Sequence, residues 1–171
     1  MSRLLILITV CYFFLTIQAT TIYVSNVIPP SNCSNPCGII EDCPCENLVQ
    51  AMDTILSTGI TTNITISVSS GIYYGQDNMN INFGELNITI QGNGPENTII
   101  DCNHTIGPVF NFNIFSNEQI VQGFTIKNCL SPLSGSVVQA SNGFYIYILN
   151  LNFLVQLRIN YLEYKKDQIQ Y

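Results

Sequence analysis

The chain has no tryptophan and one histidine, and its basic residues are scarcer than its acidic ones. It carries 5 lysines and arginines against 11 aspartates and glutamates, which gives a formal net charge of -6. From residue 20 to residue 142 the sole basic residue is Lys127. One cation over that length cannot neutralise a phosphate backbone, so the composition excludes nucleic acid and disfavours anionic membrane surfaces as partners.

The chain also lacks an apolar run of the roughly 20 residues that a membrane-spanning helix needs. Its longest apolar segment, from Leu4 to Leu15, follows Arg3 and is followed by a small residue at Ala19. This order is typical of a secretory signal peptide, so we predict a signal over residues 1–19, cleavage after Ala19 and a secreted, extracellular protein without a transmembrane span. The alternative interpretation is a membrane anchor.

Cysteine is the next informative residue type. Of the seven cysteines, Cys11 would leave with the signal peptide, and an even number in an oxidising compartment favours disulfides. The candidates are Cys33, Cys37, Cys43, Cys45, Cys102 and Cys129. The spacing C-x3-C-x5-C-x-C of the first four fits no zinc knuckle, so we expect no metal. The sequence does not determine the pairing, and two reduced thiols remain the alternative for the last two cysteines.

Four Asn-x-Ser/Thr motifs supply the solubility that the few charges do not. They predict a glycoprotein, with Asn-linked glycans on one or more of these sites. The candidate sites are Asn32, Asn63, Asn87 and Asn103.

A helical period follows the cysteine-rich loop. From Glu46 onward, apolar residues recur at helical spacing until Gly59, where glycine favours a helix end. The residues on this face are Leu48, Val49, Met52, Ile55 and Leu56. We therefore divide the chain into a cysteine-rich loop with a capping helix over residues 20–59, repeated strands over residues 60–142 and an atypical tail over residues 143–171. The tail is denser in bulky apolar residues, and truncation or a segment foreign to the fold would explain it.

The segment from Asn87 to Cys129 nearly repeats itself. Gln91-Gly92 recurs as Gln122-Gly123, and TIIDC, residues 98–102, recurs as TIKNC, residues 125–129. Short β-branched runs separated by glycine and asparagine, at a spacing of roughly 20 to 30 residues, indicate stacked parallel strands. The sequence therefore predicts an all-β protein, a short single-stranded right-handed parallel β-helix with an N-terminal amphipathic capping helix.

Aligning the two repeats also predicts a register. Ile99 and Ile126 would point inward, and by strand alternation Ile100 and Lys127 would point outward. Asp101 would then stack on Asn128 at a corner. Cys102 would lie one strand from Cys129, and the strand spacing of about 4.8 Å permits a disulfide.

These segments resemble the secreted right-handed parallel β-helix proteins of the pectin-lyase-like superfamily, particularly asparagine-rich ones of social amoebae. The motifs that carry the resemblance are TIYVS, CGIIEDCPCENLVQAMDTI, SGIYYG, ITIQGNGPENTIIDC and GFTIKNC. The cysteine-bearing motif is also similar to the start of polymorphic outer-membrane-protein repeats. The resemblance covers residues 21 to about 142 and implies the fold. It implies no single function, since the fold carries lyases, hydrolases, esterases and non-enzymatic adhesins.

The residues argue against catalysis of the pectin-lyase type. Lyases of that superfamily use an arginine or lysine base near calcium, and here Lys127 is the only cation available. A glycosidase needs two carboxylates together, and the partner predicted for Asp101 is the amide of Asn128. His104 lies in a glycosylation motif and is interpreted as a surface side chain. We interpret the remaining candidates, Asp77, Glu85 and Glu96, as solvated turn residues.

The sequence thus favours a non-catalytic secreted structural or adhesive protein, one that is built of repeats and binds polysaccharide or extracellular matrix. It predicts no catalytic residues and no cofactor. One alternative is a pectin-lyase-like carbohydrate-active enzyme, either a lyase or a glycoside hydrolase. The other is a truncated product without an independent function.

Overall fold

The computed structural model describes residues 19–27, 29, 32–33, 36–61, 63–112, 118–130, 138–140, 146–153 and 169–170. Residues 1–18, which hold most of the predicted signal peptide, lie outside this range, so that expectation stays a prediction. The described residues form parallel strands and one α-helix.

The main sheet is parallel throughout. Six of its strands follow one another across the sheet: β1 (Thr20–Val24), β2 (Ile64–Val68), β5 (Ile88–Gly92), β8 (Gln119–Lys127), β10 (Ile146–Phe153) and β11 (Ile169–Gln170). Two further strands, β3 (Gly71–Tyr74) and β6 (Thr98–Asp101), pair with each other, and β6 pairs with the second half of β8. A second parallel sheet contains β4 (Ile81–Asn82), β7 (Phe110–Phe112) and β9 (Val138–Ala140).

The predicted fold class is wrong. The described residues form a mixed α/β structure, a parallel sheet with a short helix, and they do not close into a solenoid. The reason is that β-branched runs punctuated by glycine and asparagine encode parallel pairing between neighbours. That local pattern is shared by open and closed arrangements, so it does not determine whether the sheets close.

The pairing itself follows the sequence pattern. Ile22, Ile66, Ile90 and Val121 lie in register on neighbouring strands and are fully buried. Full burial of such a side chain stabilises the fold by about 1.5 to 3 kcal/mol. Gln91 pairs with Gln122, as the alignment of the two repeats predicts. The hydrophobic row therefore determines which residues of each strand face outward.

The predicted register is off by one residue in β6. Ile100, not Ile99, pairs with Ile126, and both paired residues are fully buried. The cause is Thr98, which is itself fully buried and whose hydroxyl accepts a hydrogen bond from the Asn93 backbone N–H at 2.8 Å. With Thr98 turned inward, alternation makes Ile99 half-exposed and Ile100 internal.

An aromatic cluster joins the two sheets. Phe110 in β7 and Phe124 in β8 have ring centroids 6.4 Å apart, and both side chains are fully buried. Phe83 and Phe112 extend the cluster, with centroids 4.8 Å apart. The core therefore lies between the main sheet and the second sheet.

The predicted helix is present as α1 (Leu48–Thr58). The Asn47 side chain accepts a hydrogen bond from the Gln50 backbone N–H at its start, and Gly59 ends it in the left-handed conformation. Its buried face differs from the prediction, because Leu56 is 68% exposed and Val49 is only partly buried. The residues that do face the core are Leu48, Ala51, Met52, Thr54 and Ile55. The helix packs beside β1 and β4.

The C-terminal tail contributes a strand to the main sheet. β10 pairs in parallel with β8 from Ile146, opposite Gln119, to Phe153, opposite Ile126. Whether residues 143–171 reflect truncation or a segment foreign to the fold stays a prediction.

Candidate functional site

Asp101 is the last residue of β6 and the carboxylate that a glycosidase function would require. The Asn128 side-chain Nδ2 donates to both of its carboxylate oxygens at 3.0 Å. The Asn103 backbone N–H donates to Oδ1 at 3.0 Å, and Lys127 Nζ lies 3.5 Å from Oδ2. Burial opposes ionisation of Asp101, but these three donors outweigh it and hold the pKa of the carboxyl below its ordinary value. Asp101 therefore serves as an ionised acceptor at neutral pH, which does not suit a general acid.

The backbone around Asp101 explains why an amide meets it. Asn128 directly follows β8 and has φ 57°, a left-handed conformation that asparagine tolerates better than most residues. The turn places its side chain over the Asp101 carboxylate. His104, in the adjoining turn with φ 59°, is exposed and donates its backbone N–H to the Asn128 carbonyl at 2.8 Å.

The six cysteine candidates form three disulfides, which confirms the prediction of disulfide bonds. The pairs are Cys33–Cys43, Cys37–Cys45 and Cys102–Cys129. The third pair joins the ends of β6 and β8 with Cα atoms 4.8 Å apart and settles the alternative of two reduced thiols. Cys33 is bonded to Cys43 and Cys37 to Cys45, so these four sulfur atoms are not available as zinc ligands.

The other acidic candidates do not converge on a site. All three are exposed: Asp77 lies in a short 3-10 helix, and Glu85 and Glu96 lie in separate turns. Within the described ranges, no group of three or more histidine, cysteine, aspartate or glutamate side chains could hold a metal ion.

The predicted glycosylation sites lie in two environments. Asn32, Asn63 and Asn103 are exposed. Asn87 is half-buried before β5, and its Oδ1 accepts the Glu118 backbone N–H at 3.2 Å. Modification of all four stays a prediction.

The outward side of the main sheet carries two rows of polar side chains. The first contains Thr21, Thr65 and Thr89, paired in register. The second contains Tyr23, Ser67, Gln91 and Gln122, also in register. All seven are half-buried or exposed, and we call them the polar face. Strand pairing identifies the members of this surface.

A cavity of about 380 Å³ opens at the β1 end of the polar face. Tyr23 and Ser67 belong to both, and the acidic pair Glu41 and Asp42 lines the cavity from the cysteine-rich loop. We call it the Tyr23 cavity. The sequence analysis missed it because Glu41 and Asp42 lie some twenty residues from Tyr23 in the chain. The one available signal was an acidic pair directly before Cys43.

A larger cavity of about 600 Å³ lies on the helix side of the same loop. Glu46, Gln50 and Asp53 line it together with prolines and two disulfide-bonded cysteines. None of its described lining residues is aromatic, so it lacks the flat apolar surface that the Tyr23 cavity has.

No helix among the described residues is long and apolar enough to cross a membrane. Comparison with known proteins gives no match to a family model, to a curated protein or to a solved structure.

Proposed function

We propose that this protein is a non-catalytic secreted structural or adhesive protein whose polar face binds a glycan or another component of the extracellular matrix. The observation that carries the proposal is the in-register polar face itself. Its hydroxyl and amide groups repeat at the strand spacing of about 4.8 Å, which suits an extended ligand with repeated hydroxyl groups.

The side-chain chemistry of the polar face supports a sugar ligand. Thr65, Ser67 and Gln91 offer both donors and acceptors, which match the hydroxyl groups of a sugar. Tyr23 at the end of one row adds an aromatic ring with a polar tip. A face of this kind holds a polar ligand by many weak hydrogen bonds.

Two further observations support the other parts of the proposal. Three disulfides are typical of proteins that fold in an oxidising compartment, which favours secretion. The Asp101 carboxylate is occupied by Asn128, Asn103 and Lys127, which favours a structural role over catalysis.

The test uses the full chain expressed through a eukaryotic secretory pathway, and the secreted product is mixed with insoluble polysaccharides: cellulose, chitin, chitosan and cross-linked polygalacturonate. We expect the protein to sediment with at least one of them. A triple variant, Thr65→Val with Gln91→Ala and Gln122→Ala, should weaken that binding by about tenfold or more, because it removes several hydrogen bonds.

The matched control is Thr61→Val with Gln76→Ala, two exposed residues outside the polar face. It should bind as the unmodified protein does. Equal loss in both variants, or sedimentation with none of the polysaccharides, would overturn the proposal. Release of reducing or unsaturated sugar that disappears in Asp101→Asn would overturn its non-catalytic part.

A further inference from the structure

We propose that the Tyr23 cavity is a binding subsite for one sugar unit that carries a protonated amine, of the glucosamine type. This inference rests on the proposed glycan-binding function and names the class of sugar. It also differs from the acidic pectin substrate of the pectin-lyase-like alternative.

The size and walls of the cavity suit a single sugar ring. Its volume of about 380 Å³ lies within the range of small-molecule sites, roughly 300 to 1,000 Å³. Tyr23, Val27 and Pro29 supply apolar surface, against which the C–H face of a pyranose can pack. Ser67 and the carboxylates of Glu41 and Asp42 supply the acceptors for its polar groups.

The charges in the cavity select among sugars. Glu41 and Asp42 are both exposed at its wall, and no basic side chain is among its described lining residues. Lys127, the one cation between residues 20 and 142, is paired with Asp101 in β6 and β8. The cavity is therefore electronegative next to an aromatic ring, a combination that attracts an ammonium group and repels a uronate.

Backbone hydrogen bonds and two disulfides hold the walls of the Tyr23 cavity in place without a ligand. The Tyr23 backbone N–H donates to the Gly38 carbonyl at 2.9 Å, and the Tyr23 carbonyl accepts the Cys45 N–H at 2.8 Å. The Gly38 N–H donates to the Cys43 carbonyl at 2.7 Å, which closes the loop that carries Glu41 and Asp42. The Cys37–Cys45 and Cys33–Cys43 disulfides hold the two ends of this loop, so little ordering of the loop is needed on binding.

The cavity and the polar face are continuous. Tyr23 and Ser67 line the cavity, and Gln91 and Gln122 continue the same row on the next two strands. An oligosaccharide can therefore place one amine-bearing unit in the cavity while further units follow the row.

The test is calorimetric titration of the secreted full chain with a glucosamine tetramer, an N-acetylglucosamine tetramer and a galacturonate tetramer. We expect the glucosamine tetramer to bind at least about tenfold more tightly than the N-acetylated one, and the galacturonate tetramer not to bind. Raising the salt from about 20 to about 200 mM should weaken binding of the glucosamine tetramer, because salt screens the exposed carboxylates.

The double variant Glu41→Gln with Asp42→Asn should abolish the preference for the amine. Its matched control is Glu85→Gln with Asp53→Asn, which also removes two negative charges but at exposed positions outside the Tyr23 cavity. This control should keep the preference for the glucosamine tetramer. Equal affinity for the two glucosamine-type tetramers, or a preference that survives in Glu41→Gln with Asp42→Asn, would overturn the inference.

The experiment separates this inference from the proposed function. If polysaccharide binding depends on the polar face but shows no amine preference, the inference alone fails. If no polysaccharide sediments with the protein while the glucosamine tetramer still binds in the cavity, the proposed function fails and the subsite stands.

Discussion

The side-chain amide of Asn128 lies 3.0 Å from both carboxylate oxygens of Asp101, across two paired strands. A glycosidase would instead place a second carboxyl group about 5 to 9.5 Å from the first. Here an amide donor satisfies the acid, and the contact joins the end of β6 to the end of β8. The pair therefore stabilises the sheet.

Replacing Asn128 by aspartate tests this interpretation. Asn128→Asp removes the donor and sets two carboxylates against each other, so we expect the free energy of unfolding at pH 7 to fall by about 1 to 2 kcal/mol. The loss should shrink on acidification, because one carboxyl of the new pair takes up a proton. Urea denaturation at several pH values measures both effects.

The control for that substitution is Asn80→Asp. Asn80 is also exposed and left-handed, with φ 54° against 57° for Asn128. It should change the free energy of unfolding by no more than about 0.5 kcal/mol. An equal loss in both variants would show that the backbone conformation, and not the contact with Asp101, is responsible.

The free energy of unfolding should depend on pH through the ionisation of the Asp101 carboxyl group. Its pKa in the folded protein lies below the unfolded value of about 3.9. A depressed folded-state pKa contributes stability that is fully present above the unfolded pKa and is lost as the pH falls through the folded one. Asp101→Asn should therefore destabilise the protein at pH 7 by about 1 to 3 kcal/mol and flatten the acid limb of the curve.

Glu96→Gln is the control for Asp101→Asn, since Glu96 is an exposed turn residue. We expect it to leave the free energy of unfolding within about 0.5 kcal/mol of the unmodified value at pH 7. Parallel curves for Asp101→Asn and the unmodified protein from pH 2 to pH 7 would contradict the assignment.

The disulfides should contribute according to the loops they close. Cys102 and Cys129 are 27 residues apart, and Cys33 and Cys43 are 10 residues apart. Loop-closure entropy predicts a loss of about 3.5 kcal/mol for the double alanine variant of the first pair and about 2.7 kcal/mol for the second. Guanidinium denaturation measures the ranking, and mass spectrometry of unreduced peptides checks the pairing. A reversed ranking would show that local packing outweighs chain entropy.

Gly92 and Gly123 lie against each other in β5 and β8. A Cβ on Gly123 would meet the Gly92 carbonyl oxygen at 2.5 Å, and a Cβ on Gly92 would meet the Gly123 carbonyl oxygen. Gly75 has a similar positive φ, 68° against 78°, but open space around it. Gly75→Ala should cost about 1 to 2 kcal/mol from backbone strain, and Gly123→Ala should cost more because the backbones must separate. Thermal unfolding of the two variants gives the comparison, and equal costs would contradict the close approach.

Much of the local structure was predictable from short stretches of sequence. The helix followed from its apolar period and the glycine at its end, and the pairing of Gln91 with Gln122 followed from the repeat. The one-residue error in β6 arose because TIIDC and TIKNC align without a gap, whereas Thr98 is buried and Thr125 is not, so the two strands pair one residue out of that alignment. A sequence alignment carries no record of which threonine hydroxyl is buried.

The two candidate sites also differ in how far the sequence alone predicts them. The contact between Asp101 and Asn128 was predictable only in part, because stacking the repeats brings the two turns together but β6 pairs Asp101 with Lys127, one residue before Asn128. The Tyr23 cavity was not, because Glu41 and Asp42 reach Tyr23 only after the hydrogen bonds of Gly38 and Cys45 return the cysteine-rich loop to β1.

By itself the sequence determined that β-branched runs pair in parallel, that one helix lies between the first of them and the rest, and that the cysteines form disulfides. These features depend on local periodicity and composition, which any short window of the chain contains. The tertiary structure decided that the sheets of the described residues do not close into a solenoid, which cysteines pair, and that an acidic pair and an aromatic residue line one cavity at the end of the polar face. Those features depend on contacts between distant segments, and only the packing of the whole chain specifies them.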